Sequence, residues 1–194
     1  MIFVKRIRNN PKANAVFDNF TLFLKLAFVA GLSVLLLRGF LLIPVEVLGD
    51  SMENTLAPQD MLIMSKVSPV NRFDVVVLEL EDHETLVKRV IGLPGDSLKF
   101  EEGKLFINDK LVPEPFLDEN LEDYDSAAPF TNDFTLEMVI GKTHLGEGEY
   151  FVMGDNRPHS RDSRSFGLVT EEQILGRALM VYYPFSDLQI LGGR

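Results

Sequence analysis

The stretch FDVVVLELEDHETLVKRVIGLPGD, Phe73–Asp96, decides the fold class. It holds two short runs rich in Val, Ile and Leu, FDVVVLEL (Phe73–Leu80) and TLVKRVIGL (Thr85–Leu93). Runs of this length and composition, bounded by charged and turn-forming residues, read as strands. The same signature continues outward in both directions. PVEV (Pro44–Val47) and MLIMSK (Met61–Lys66) precede it. SLKF (Ser97–Phe100) and KLFIND (Lys104–Asp109) follow and flank Glu101-Glu102-Gly103, which predicts a hairpin turn. YFVMG (Tyr150–Gly154) and ALMVYYPF (Ala178–Phe185) complete the set. A single short helix is signalled, where Thr170-Glu171-Glu172-Gln173 fits a capping box. The expectation is a mostly-β domain over residues 44–194, with no internal repeat. The acidic segment Pro113–Phe134, with DENLEDYD at its centre, reads as a surface excursion. A metal-binding loop is the rival reading there, but the EF-hand pattern of glycine and terminal Glu is missing.

Before the strands the pattern is different. Thr21–Leu42, TLFLKLAFVAGLSVLLLRGFLL, is 22 residues long. As a helix it would span roughly 33 Å, close to the ~30 Å hydrocarbon core of a bilayer. Its two charges, Lys25 and Arg38, lie toward the ends, where long stems carry a charge to the interface. Up to Ile43 there are six basic residues, Lys5, Arg6, Arg8, Lys12, Lys25 and Arg38, against the one acid Asp18. That asymmetry predicts residues 1–20 in the cytoplasm, an anchor over 21–43, and the β domain outside. A cleaved signal peptide and a buried core helix are the alternatives; the run is long for the first and no clear Ala-x-Ala site follows it. Overall the chain carries a formal charge of −10, with the acids concentrated after the apolar run. This disfavours nucleic acid as a partner. With no cysteine, disulfides and thiolate zinc sites are excluded.

Three segments depart from the strand pattern: GDSMENTL (Gly49–Leu56), LVKRVIGLPGD (Leu86–Asp96) and GDNRPHSRDSR (Gly154–Arg164). Ser51 is a candidate nucleophile, provided that a base stands beside it. Its glycine-aspartate lead-in permits a tight turn that exposes a backbone N–H to an oxyanion. An ordinary turn serine is the plain alternative. Lys88 and Arg89 point to opposite faces of a strand, and one of them is expected to enter an apolar site. Burial lowers a lysine's pKa toward the range of a base, whereas arginine stays charged. The plain alternative is a strand lysine whose head reaches water. Asp155, Arg157, Arg161, Asp162 and Arg164 read as a loop tied by ion pairs, and Ser160 could orient a neutral lysine.

Together the three segments resemble the nucleophile, general-base and Gly-Asp-Asn-Arg…Ser-x-Asp-Ser-Arg boxes of the bacterial type I signal peptidases, in the family's order after an anchor. The resemblance reaches from the anchor to about Leu168 and points to the glycine-bearing, Gram-positive-like branch. It implies a largely antiparallel β fold and a serine endopeptidase in which Ser51 attacks and Lys88 is the base. Ser160 would orient Lys88, and Asp162 and Arg164 would hold the scaffold. Val45, Val47, Met52, Leu56, Leu86 and Val87 match positions lining pockets for small side chains. Preprotein signal peptides, cut after an Ala-x-Ala type of site, would be the substrates. The lipid bilayer would be a second partner, and the secretion translocon a neighbour. Neither metal nor organic cofactor is implied, and 113–148 would be the variable insertion. Two departures stand out. Asn54 occupies a position where the family usually has Pro, and Gly49 one where another branch has an oxyanion-binding Ser.

Three rivals remain at this level. His83, His144 and His159 could serve a Ser–His–Asp hydrolase, although Gly49–Glu53 lacks the second glycine of a nucleophile elbow. A self-cleaving repressor-type protease would need a DNA-binding domain where the apolar run stands. A non-catalytic anchored β module, serving binding or assembly, would use the charged segments as structural loops.

Overall fold

The computed structural model describes residues 11–53, 55–117 and 129–192, with side chains of the first helix given for 18–34. Asn54 and the DENLEDYD stretch, with the metal-loop reading attached to it, therefore lie outside the described residues. Contacts divide the chain into two units, up to Leu41 and from Leu42 onward.

The first unit is helix α1, Pro11–Leu41. Large apolar side chains such as Phe20, Phe23, Leu26, Phe28, Val29 and Val34 are exposed along it. Among the described residues no helix is long and apolar enough to cross a membrane.

The second unit is built from β1 (Leu42–Glu46), β2 (Met61–Ser65), β3 (Val75–Glu79), β4 (Thr85–Gly92), β5 (Leu98–Glu101), β6 (Lys104–Ile107), β7 (Lys110–Leu111), β8 (Phe134–Thr135), β9 (Glu149–Met153), β10 (Val169–Thr170), β11 (Ile174–Tyr183) and β12 (Gln189–Ile190). One sheet runs β1-β2-β11-β3-β4-β9-β10, with β12 on β11; the other runs β7-β6-β5-β8. The pairings are antiparallel throughout. The mostly-β expectation is met, and each run read as a strand holds one, with different ends: Asn108 and Asp109 have positive φ after β6, and β11 ends at Tyr183, before the 3-10 turn Phe185–Asp187.

Strands β3 and β4 lie in the middle of the large sheet, and their two faces enter different clusters. Val75 and Val77 pack with Met52, Leu56 and Val87, while Val76 and Leu78 pack with Val90 and Val152. Each fully buried Val or Leu of this kind contributes about 1.5–3 kcal/mol. A strand covered on both faces has no solvent side, so β4 buries Lys88 at 2% exposure and Arg89 at 4%. The expectation that one of the two enters an apolar site is too small: both are interior.

The hairpin at Glu102-Gly103 forms as expected, with φ of +52° and +70°. Those angles suit a two-residue loop whose backbone twist matches the strands. The capping box at Thr170 also forms, but it opens only a 3-10 turn, Glu171–Gln173, because β11 starts at Ile174. Two short helices went unsignalled. Leu136–Ile140 is capped by the Thr135 side chain and ended by Gly141 at φ +73°; Ser163–Phe166 is capped by Asp162. The described ends of the Pro113–Phe134 excursion are not merely surface: Leu117, Thr131 and Phe134 are buried, and β8 pairs with β5.

Candidate active site

Ser51 lies in a turn between β1 and β2. The turn is closed by Glu53 N–H donating to the Asp50 carbonyl at 3.0 Å and Leu56 N–H to the Met52 carbonyl at 2.8 Å. Met52 and Leu56 are buried pegs in the cluster beneath it. This fixes the loop while Ser51 itself stays half-buried. Lys88, from the middle of β4, brings Nζ to 2.6 Å from Ser51 Oγ and 3.1 Å from the Val87 carbonyl. Burial lowers its pKa to about 8; Asp162, Glu84 and Asp155 favour the charged form and Arg161 opposes it. A serine hydroxyl within hydrogen-bond reach of such an amine is the arrangement that proton transfer requires.

The third segment wraps the same point. Asn156 N–H donates to the Ser51 carbonyl at 3.1 Å, and its Nδ2 donates to the Asp50 carbonyl at 3.2 Å. Gly154 passes so close that a Cβ there would stand 2.3 Å from the Ser51 carbonyl oxygen and 2.2 Å from Ser160 Oγ. Only glycine fits.

The loop is tied by ion pairs, three of which reach outside it. Asp155, wholly buried, receives Arg89 in a two-pronged pair at 2.9 and 2.6 Å, and the Thr55 hydroxyl at 2.6 Å. Arg157 bonds Glu114 and stacks over Phe100. Arg161 bonds Glu84. Asp162 pairs with Arg164 at 2.7 Å and accepts the Gly154 N–H at 3.1 Å. Ser160 Oγ is buried and makes no hydrogen bond among the described residues, so the expected bond to Lys88 is absent here.

A cleft of about 400 Å³ opens at Ser51 and Lys88, lined by Val47, Met52, Leu86 and Val87 among others. Two residues expected to line it do not. Leu56 is committed to the core below, and Val45 packs against the same cluster from β1. The three histidines are engaged elsewhere: His83 with Glu79, His144 with Thr143 and His159 with Asn156. None of them bonds Ser51, which removes the geometric basis of a Ser–His–Asp reading.

Sequence reasoning missed Thr55, Asn156 and Glu84, and the pairing of Arg89 with Asp155. For Arg89 a signal existed, since a second charge beside Lys88 in an apolar run needs its own partner if both faces are covered. The other three are unremarkable until the fold brings them together.

Comparison with known proteins converges on one family. The family model described as "Signal peptidase, peptidase S26" matches residues 20–183. A signal peptidase I of Bacillus caldolyticus is 44% identical over 167 residues, 82% of this chain and 90% of the relative. Signal peptidase I V of Bacillus subtilis is 40% identical over 157 residues, 77% of this chain and 93% of the relative. The crystal structure of a signal peptidase I from Enterococcus faecalis superposes with a TM-score of 0.55 at 34% identity, covering 57% of this chain and 97% of that one.

Proposed function

The chain belongs to the signal peptidase family, peptidase S26, as a bacterial type I, Gram-positive-like serine endopeptidase, and we propose that Ser51 and Lys88 form its catalytic dyad. The observation that carries this reading is the 2.6 Å approach of Lys88 Nζ to Ser51 Oγ inside a cleft. Neutral Lys88 takes the Ser51 hydroxyl proton as Oγ bonds the scissile carbonyl carbon. The resulting oxyanion is met by the Ser51 N–H. Lys88 then delivers the proton to the leaving amine, and water hydrolyses the acyl-enzyme by the same route. Asp162 and Arg164, with Arg89 and Asp155, hold the loop against the nucleophile turn. Val47, Met52, Leu86 and Val87 form shallow apolar walls that suit small side chains, which supports cutting preproteins after an Ala-x-Ala type of site. The exposed apolar side chains of α1, in a run preceded by basic residues, support a membrane anchor with residues 44–194 outside the cytoplasm.

The test is cleavage of a synthetic preprotein bearing an Ala-x-Ala site by the wild type, Ser51→Ala, Lys88→Ala and His159→Ala. The dyad requires loss of at least about 10³-fold in the first two variants and retention in the third. Activity persisting in Ser51→Ala or Lys88→Ala would overturn it.

A further inference from the structure

One charged residue of the cleft, and the partner that it bonds, have no part in the scheme above. Glu84 ends the turn between β3 and β4 and lines the cleft with Ser51 and Lys88. Arg161 lies between Ser160 and Asp162. Their side chains bond each other although they are 77 positions apart. The pair is about half exposed, 54% for Arg161 and 43% for Glu84. An ion pair so exposed adds little to stability. What it does join is the turn from which β4 starts and the loop that packs on Ser51.

We propose that Glu84 and Arg161 are positioning residues for the reaction, an ionic strap at the cleft that balances the charge facing Lys88 and thereby sets the pH at which it works as a base. The proposal rests on the dyad reading. Of the other charges that act on Lys88, the two carboxylates are already held in ion pairs. Asp155 is bound to Arg89 and Asp162 to Arg164. Across the sheet Lys88 stands opposite Val76 on β3, which carries no charge. From β1, Glu46 lines the cleft and contributes the same sign in every variant compared below. On the turn itself His83 bonds Glu79, and Asp82 accepts the Glu84 N–H. Glu84 and Arg161 bias Lys88 in opposite directions. Paired, they offset each other; either one alone leaves the bias of the survivor.

The experiment is the pH profile of kcat/KM for an uncharged Ala-x-Ala peptide. It uses the full chain in detergent micelles at low ionic strength, as wild type, Glu84→Gln, Arg161→Gln and the double variant. Glu84→Gln should move the acid limb to lower pH by several tenths of a pH unit, and Arg161→Gln should move it to higher pH. The double variant should return close to the wild type, and Arg161→Lys should hold the wild-type limb. Both shifts should shrink at about 1 M salt, where the screening length falls to roughly 3 Å. Titration of Lys88 followed by NMR of its side-chain nitrogen reads the same shifts without turnover. Shifts in one direction for both single variants, or none in the NMR titration, would overturn the strap. If the peptide were cut in a Ser51-dependent way while the limb stayed fixed, the strap would fail and the dyad would stand. If no variant cut the peptide but Lys88 titrated as described, the electrostatic coupling would stand while the dyad, and with it the strap's role in the reaction, would fail.

Discussion

At the scale of one residue, Lys88 carries two opposed requirements. The reaction needs its amine neutral, and the fold supplies this by burial, which lowers the pKa to about 8. At pH 7 about one molecule in ten then holds the free base, so kcat/KM should rise about tenfold between pH 7 and a plateau above pH 9. A steady-state profile on a peptide without titrating groups checks this; a flat profile through pH 8 would remove Lys88 as the base. Stability should follow the same group. Between about pH 8 and the ordinary lysine value near 10.4 the unfolded chain binds more protons than the folded one, so the Lys88 contribution improves as pH rises through that window. Below it, the lysine costs the fold about 3 kcal/mol. Lys88→Met should therefore be more stable than the wild type at pH 7, with the advantage shrinking by pH 10.5. Denaturant unfolding of both proteins at the two pH values measures the difference, and an advantage that does not depend on pH would contradict the burial argument.

At the scale of elements, the pair of Arg89 on β4 with Asp155 after β9 fastens the third segment to the strand that carries Lys88. It is buried at both ends, and the guanidinium also donates to the Phe73 carbonyl at 2.8 Å and lies 4.1 Å over the Phe116 ring. Removing one partner leaves the other charge unpaired in the interior. Arg89→Met should therefore cost about 3–5 kcal/mol. The double variant Arg89→Met with Asp155→Leu should recover much of that stability without recovering activity, because Asp155 also receives the Thr55 hydroxyl beside the nucleophile turn. Thermal unfolding and peptide cleavage read the two effects separately. The same elements mark how far the sequence could be read. Strands were legible because β-branched runs bounded by turns have few other solutions, and the three polar segments were legible because charges amid apolar strands need a reason. The short helix Ser163–Phe166 was not legible: its cap is Asp162, a residue that also belongs to an ion pair. Nor were the partners of Asp155, Arg157 and Arg161, which lie 66, 43 and 77 positions away. Local pattern cannot choose among distant acids and bases; the sheet order does.

At the scale of the whole molecule, the two units divide the work. The second unit holds the proposed dyad and the cleft. The first exposes Phe20, Phe23, Leu26, Phe28, Val29 and Leu32 along one helix. Exposed apolar side chains in such number are a liability in water and an asset in hydrocarbon. The division explains the split charge of the sequence, with basic residues before and within the apolar run and acids after it. Under the proposed anchoring, substrate and enzyme would be confined to the same surface. If α1 anchors the chain, the full protein reconstituted into phosphatidylcholine–phosphatidylglycerol vesicles should stay with the lipid after alkaline carbonate extraction. Val29→Lys with Leu32→Lys would put two ammonium groups near the middle of the span, at about 2.5–3.5 kcal/mol each on the insertion scale. That variant should be released into the supernatant with its peptide-cleaving activity in detergent intact. A wild type extracted by carbonate as readily as the double variant would show that α1 does not anchor the chain, and the exposed apolar helix would then need a protein partner to cover it.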